Sequence, residues 1–145
     1  MSGTKLSAIL ISLSMAALAS RAHAFEAELR GRFDYSETGG VLVFAQTNLP
    51  DELKFTVRVA GDGFSAKQIV EVEDGRFRAG PFQIEKSSLP AGTYHLIIGA
   101  GRAEGQLAKV REVIGDNSDA VSSEYITADP EGHRQFTREL DFTVD

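Results

Sequence analysis

Proton transfer, nucleophilic attack and metal binding each need particular side chains at particular spacings, and this chain holds few of them. None of its 145 residues is Cys or Trp, which excludes thiol redox chemistry and cysteine nucleophiles. Beyond residue 24 the only imidazoles are His95 and His133. His95 lies between Tyr94 and Leu96 and so faces the other side of a strand, toward solvent. His133 follows Pro130-Glu131-Gly132 in a turn. Neither has a second His or Cys at the spacing zinc or copper requires, so both read as surface histidines. The run Asp116-Asn117-Ser118-Asp119 gathers oxygen donors of the kind calcium favours. It lacks the spacing and glycine of a calcium loop and reads as a polar turn. Ser65, Ser87, Ser88, Ser118, Ser122 and Ser123 offer hydroxyls, but none sits in the Gly-x-Ser-x-Gly frame of a nucleophile elbow. With 21 acids in the chain, a carboxylate pair suited to glycoside cleavage carries no information by itself. The expectation is a protein that is not an enzyme, with no catalytic, cofactor-binding or metal-ligating residues. Any ligand-binding residues are left unmarked by the sequence.

The tyrosines are the other side chains with a chemical use. Tyr94 opens a strand after a glycine turn, where its ring can cover the core edge and its hydroxyl can bond backbone a few residues upstream. Tyr35 and Tyr125 fall near loops and are the residues a sugar-binding surface would need, in a chain without Trp.

The elements that must position these groups begin after a distinct leader. Lys5 is followed by an almost uncharged run over residues 6–19, too short for a membrane span, and then by Ser20, Arg21 and Ala22-His23-Ala24. Small residues at 22 and 24 fit the pockets of a signal peptidase, so cleavage is expected between Ala24 and Phe25. Residues 25–145 then form one domain, soluble after export and without membrane insertion. Losing residues 1–24 removes Lys5 and Arg21 and no acid, so the net charge moves from −6 to −8. That balance argues against nucleic acid and against anionic lipid as partners. A domain of this size can hold itself together by packing without disulfides.

Period two dominates residues 25–145. Phe25, Ala27, Leu29, Gly31 and Phe33 alternate with Glu and Arg, which predicts one half-buried strand over residues 25–33. Further strands are expected at 41–45, 53–59, 68–72, 76–79 and 93–98, an edge strand at 122–127, and a last strand at 135–144. Asn48-Leu49-Pro50-Asp51, Gly61-Asp62-Gly63 and Leu89-Pro90-Ala91-Gly92 mark turns. Asp74-Gly75 is the strongest hairpin signal, and Gly80-Pro81 predicts a kink or bulge ahead of Phe82 and Ile84. Leu107, Val110, Val113 and Ile114 have helical spacing with Gly115 at the C-cap, predicting one short helix over 106–114. Seven or eight strands without βαβ alternation predict an all-β, antiparallel two-sheet sandwich.

Leu89-Pro90-Ala91-Gly92-Thr93-Tyr94, followed by Leu96 and Ile98, resembles the LPxGxY strand start of immunoglobulin-like, fibronectin-III-like and transthyretin-like sandwiches. The hairpin Asp74-Gly75-Arg76-Phe77 is similar to a step in such domains. Thr47-Asn48-Leu49-Pro50, with residues 75–82, is similar to small exported bacterial proteins of uncharacterised function. The resemblance covers residues 40–100 and implies an immunoglobulin-like sandwich. Such sandwiches carry many roles, so the resemblance says little about activity. The lack of catalytic chemistry, together with a fold type that usually works by binding, leads to the expectation of a non-enzymatic exported module presented to a protein partner in the cell envelope, more fittingly periplasmic than extracellular. The last strand, 135–144, is a candidate for edge pairing. A carbohydrate- or small-ligand-binding domain is the alternative, and a hydrolytic enzyme a more distant one.

Overall fold

The computed structural model describes residues 25–61, 63–85 and 88–145. The leader, Asp62, Lys86 and Ser87 therefore lie outside the described residues. Ten strands are present among those described: β1 Phe25–Glu26, β2 Leu29–Tyr35, β3 Val41–Thr47, β4 Lys54–Gly61, β5 Phe64–Glu71, β6 Arg76–Phe82, β7 Gly92–Arg102, β8 Val121–Ser122, β9 Ile126–Ala128 and β10 Arg134–Val144. A 3₁₀ turn at Ala103–Gly105 and one helix, α1 Ala108–Ile114, follow β7. None of the described helices is long and apolar enough to cross a membrane.

The two main sheets are antiparallel, one in the order β5-β4-β7-β10-β9 and the other β2-β3-β6. Their inner faces are built by alternation, as period two requires. Phe55, Val57 and Val59 of β4 and Tyr94, Leu96 and Ile98 of β7 are buried against Val41, Val43 and Ala45 of β3 and Phe77 and Ala79 of β6. Stacked rings tie the sheets together twice. Phe55 meets Phe77 at 4.8 Å between centroids, and Phe33 of β2 meets Phe142 of β10 at 4.7 Å. Each fully buried side chain of this size contributes about 1.5–3 kcal/mol. The core is therefore held without any cross-link, as the absence of Cys demands.

Several expectations are corrected in detail. The strand over 25–33 is two strands. Asn48 is the cause: its side-chain oxygen accepts from the Glu28 backbone N–H at 2.8 Å and its amide donates to the Glu26 carbonyl at 2.7 Å. Backbone groups at that point thus turn to a side chain, and β1 instead pairs in parallel with β8, Phe25 opposite Val121. The expected edge strand at 122–127 is likewise two short pieces, β8 and β9, joined through the turn at Ser123. Helix α1 starts at Ala108 rather than residue 106, because Gln106 is drawn into the sheet. The Asp74-Gly75 hairpin turn forms with φ of 50° and 71°, the pair of positive values a two-residue type I′ turn needs. Its flanks share only the Glu73–Arg76 bridge, however, and β6 leaves to pair with β3 in the other sheet. At Gly80-Pro81 the β3–β6 register shifts, as a bulge there should make it.

Candidate functional site

The outer face of the β2-β3-β6 sheet gathers four arginines, with Asp34 of β2, opposite Leu42, in the row beyond them. Residues opposite one another in an antiparallel pair share a face, so register reads out the rows. Arg30 lies opposite Gln46, which lies opposite Arg76; Arg32 lies opposite Phe44, which lies opposite Arg78. Two residues along a strand span about 7 Å, and two strand spacings about 10 Å. The four arginines thus stand at the corners of a rectangle about 7 by 10 Å, with Phe44 and Gln46 down its middle. The guanidinium carbons of Arg32 and Arg78 lie 5.0 and 5.7 Å from the Phe44 ring centroid. That contact is worth about 0.5–1 kcal/mol at an exposed site and holds both planar groups low over the sheet. An open groove of about 1070 Å³ runs over this face, with Glu71, Glu73 and Asp74 along its far rim.

What sets these arginines apart is what they do not touch. Among the described residues none of the four has an ion-pair or side-chain hydrogen-bond partner, whereas the other five arginines after residue 24 each donate a bond within the chain. Arg58 donates to Ser65 Oγ, Arg102 to Asp129, Arg111 to the Gln106 carbonyl, Arg134 to the Val121 carbonyl and Arg138 to the Leu29 carbonyl. In a chain of net charge −6 with 21 acids, four cations on one small sheet face without an acid in contact form a local positive field. A guanidinium presents five N–H donors in a fixed fork that matches a carboxylate or phosphate, so the chemistry this face offers is hydrogen-bond donation to an anion.

The sequence carried a signal for it, two Arg-x-Arg pairs at 30/32 and 76/78. Each pair alone is an ordinary solvated strand face. Only the pairing of β2 and β6 on either side of β3 brings them together, and that pairing joins segments more than 40 residues apart.

The residues singled out by type are placed as follows. Tyr94 is fully buried, and its hydroxyl donates to the Pro90 carbonyl at 2.7 Å, making the tyrosine corner. His95 does face out of the sheet. Its Nδ1 lies 2.5 Å from Asp141 Oδ1 and its Nε2 3.5 Å from Glu139 Oε2, both on β10. The Asp141 hydrogen bond, helped by the charges of Asp141 and Glu139 against some desolvation, raises the imidazole above its ordinary pKa. His133 joins Asp129 and Glu131, and one ligand atom from each lies within 4.8 Å of the others.

That last cluster has its cation already. Asp129 Oδ1 accepts from the backbone N–H groups of Glu131 and His133, both at 2.9 Å. Its Oδ2 takes Arg102 at 2.8 Å and faces His133 Nδ1 at 3.2 Å. Partial desolvation works against ionisation there, but the two backbone donors, His133 and Arg102 prevail and lower the Asp129 pKa. The carboxylate is a turn-former spent on local bonds.

The run at 116–119 is also spent on turns. Asn117 bridges the Gly132 carbonyl and the Arg134 backbone N–H, and Ser118 is buried. Ser123 Oγ accepts from the Tyr125 backbone N–H, and Ser65 Oγ from Arg58. Among the described residues no serine hydroxyl bonds to either imidazole, whose partners are all carboxylates. Tyr35 is exposed, 59%, at the end of β2, but Tyr125 lies edge-on to Phe136 and beneath the Arg138 guanidinium, 5.0 Å from its ring centroid. The last strand is covered in full on one side only, and on the other at its start. β7 pairs along β10, β9 pairs with its first three residues, and Arg138 and Phe142 reach across to Leu29 and Phe33 of β2. Comparison with protein-family models, with curated proteins and with solved structures gave no match to this chain.

Proposed function

We propose that the protein is a non-enzymatic exported binding module of the immunoglobulin-like sandwich type, and that it uses the outer face of β2-β3-β6 to hold an anionic surface of a cell-envelope protein. The observation that carries this reading is the set of four arginines, Arg30, Arg32, Arg76 and Arg78, none with an ion-pair or side-chain hydrogen-bond partner among the described residues. Surface cations usually find acids in an acidic protein. Keeping four of them apart on one face, two braced over a phenylalanine, favours an external anion as their counterpart. The immunoglobulin-like class is supported by the order β4-β7-β10 in one sheet, which corresponds to the C-F-G order of such domains, and by a tyrosine corner on the strand in the F position. The leader over residues 1–24 supports export, with the periplasm as destination.

A photo-crosslinking amino acid placed at Gln46, in the middle of the face, tests this directly in the native host. Crosslinks to one major envelope protein, absent when the same group replaces Thr56 on the opposite sheet, are expected. Crosslinks from Thr56 alone, or equal capture from both positions, would overturn the assignment.

A further inference from the structure

The geometry points to an extended acidic protein segment as the occupant of the arginine face, carrying acids at alternate residues and lying along β3. This inference rests on the anion-binding reading above and adds the shape of the ligand. An extended chain repeats its side chains on one face every two residues, about 7 Å. That is also the repeat from the Arg32–Phe44–Arg78 row to the Arg30–Gln46–Arg76 row. A segment laid over the middle strand places one carboxylate above each row, where an arginine from β2 and one from β6 reach it from either side. Each carboxylate then has two guanidinium forks, and the intervening residue points away. Phe44 supplies apolar contact beneath the first row, and the Gln46 amide can donate beneath the second.

The rim decides against a uniform polyanion. Glu71, Glu73 and Asp74 border the same groove, and the chain as a whole is at −6. A polyphosphate or sulfated glycan that runs on past the four arginines meets like charge on leaving the rectangle. A protein segment meets that rim with neutral or basic residues and keeps its acids over the arginines.

The test uses fluorescence anisotropy with the purified protein and a labelled ten-residue peptide of alternating glutamate and serine. A peptide of equal composition with its glutamates in one block, and inorganic polyphosphate, serve as competitors. The alternating peptide is expected to bind saturably, and Arg32→Glu with Arg78→Glu to weaken it roughly ten-fold or more. Arg58→Ala, on the other sheet, should leave it unchanged. The block peptide should compete several-fold less well. None of the four arginines has an ion-pair or side-chain hydrogen-bond partner among the described residues, so the double variant loses only the Phe44 contacts, about 0.5–1 kcal/mol each, and should still melt cooperatively within several degrees of wild type. Equal competition by the block peptide, or arginine-dependent binding of polyphosphate alone, would overturn the extended-segment inference while leaving the anion face standing. Absence of arginine-dependent binding by every probe would overturn both.

Discussion

Tyr94 and His95 are neighbours on β7 and do opposite things. The tyrosine ring fills the core and its hydroxyl closes on Pro90, so Tyr94→Phe keeps the packing and loses one hydrogen bond. A loss of about 1 kcal/mol in denaturant unfolding is expected. His95 is held between two carboxylates, and its raised pKa fixes the sign of its effect. A group whose pKa is higher in the folded chain stabilises fully below its unfolded value, about 6.5, and loses that contribution as pH rises through the folded value. His95→Asn should therefore cost stability at pH 5.5 and little at pH 8.5. An NMR titration should place the His95 midpoint above the ordinary value and bring it down in Asp141→Asn. Tyr94 was legible because Pro90, Gly92 and the ring lie within five residues. The carboxylate partners of His95 were not, because β10 arrives from 46 residues away.

At the scale of elements, local backbone signals were readable and side chains that replace backbone were not. Asp74-Gly75 announced its turn, because only residues tolerant of positive φ suit both positions. Gln106 shows the limit. Its spacing before Leu107 and Val110 suggests the first turn of a helix, but its amide works as a missing strand neighbour. It accepts from the Lys54 N–H at 2.8 Å and donates to the Lys54 and Ala100 carbonyls at 2.9 and 2.7 Å. The side chain is buried, so Gln106→Ala strands three backbone groups and should cost about 1–3 kcal/mol in urea unfolding. Asn48 does the same work where residues 25–33 divide. Arg138 breaks the alternation of β10 by facing inward among Phe136, Leu140 and Phe142. Its Nη1 donates to the Leu29 carbonyl and the guanidinium lies over the Tyr125 ring, while Nε is buried without a hydrogen-bond partner among the described residues. No spacing rule foretells such partners, since each lies in a different element.

For the whole molecule, alternation alone was enough to predict an all-β antiparallel sandwich, because a strand with one wet and one dry face has few other ways to bury the dry one. Strand order was beyond it, and the candidate site is a consequence of strand order. Arg30, Arg32, Arg76 and Arg78 become one surface only because β3 pairs with both β2 and β6. On this proposal the working surface is this face rather than the outer face of the larger sheet with Thr56, Arg58 and Ile97. The measurement that tests it most directly is a titration of the isotopically labelled protein with the alternating acidic peptide, followed by NMR. The side-chain Nε–H signals of these four arginines and the Phe44 amide are expected to shift together and saturate, with Arg58 and Ile97 still. Shifts confined to the Arg58 and Ile97 face, or none at either, would contradict it.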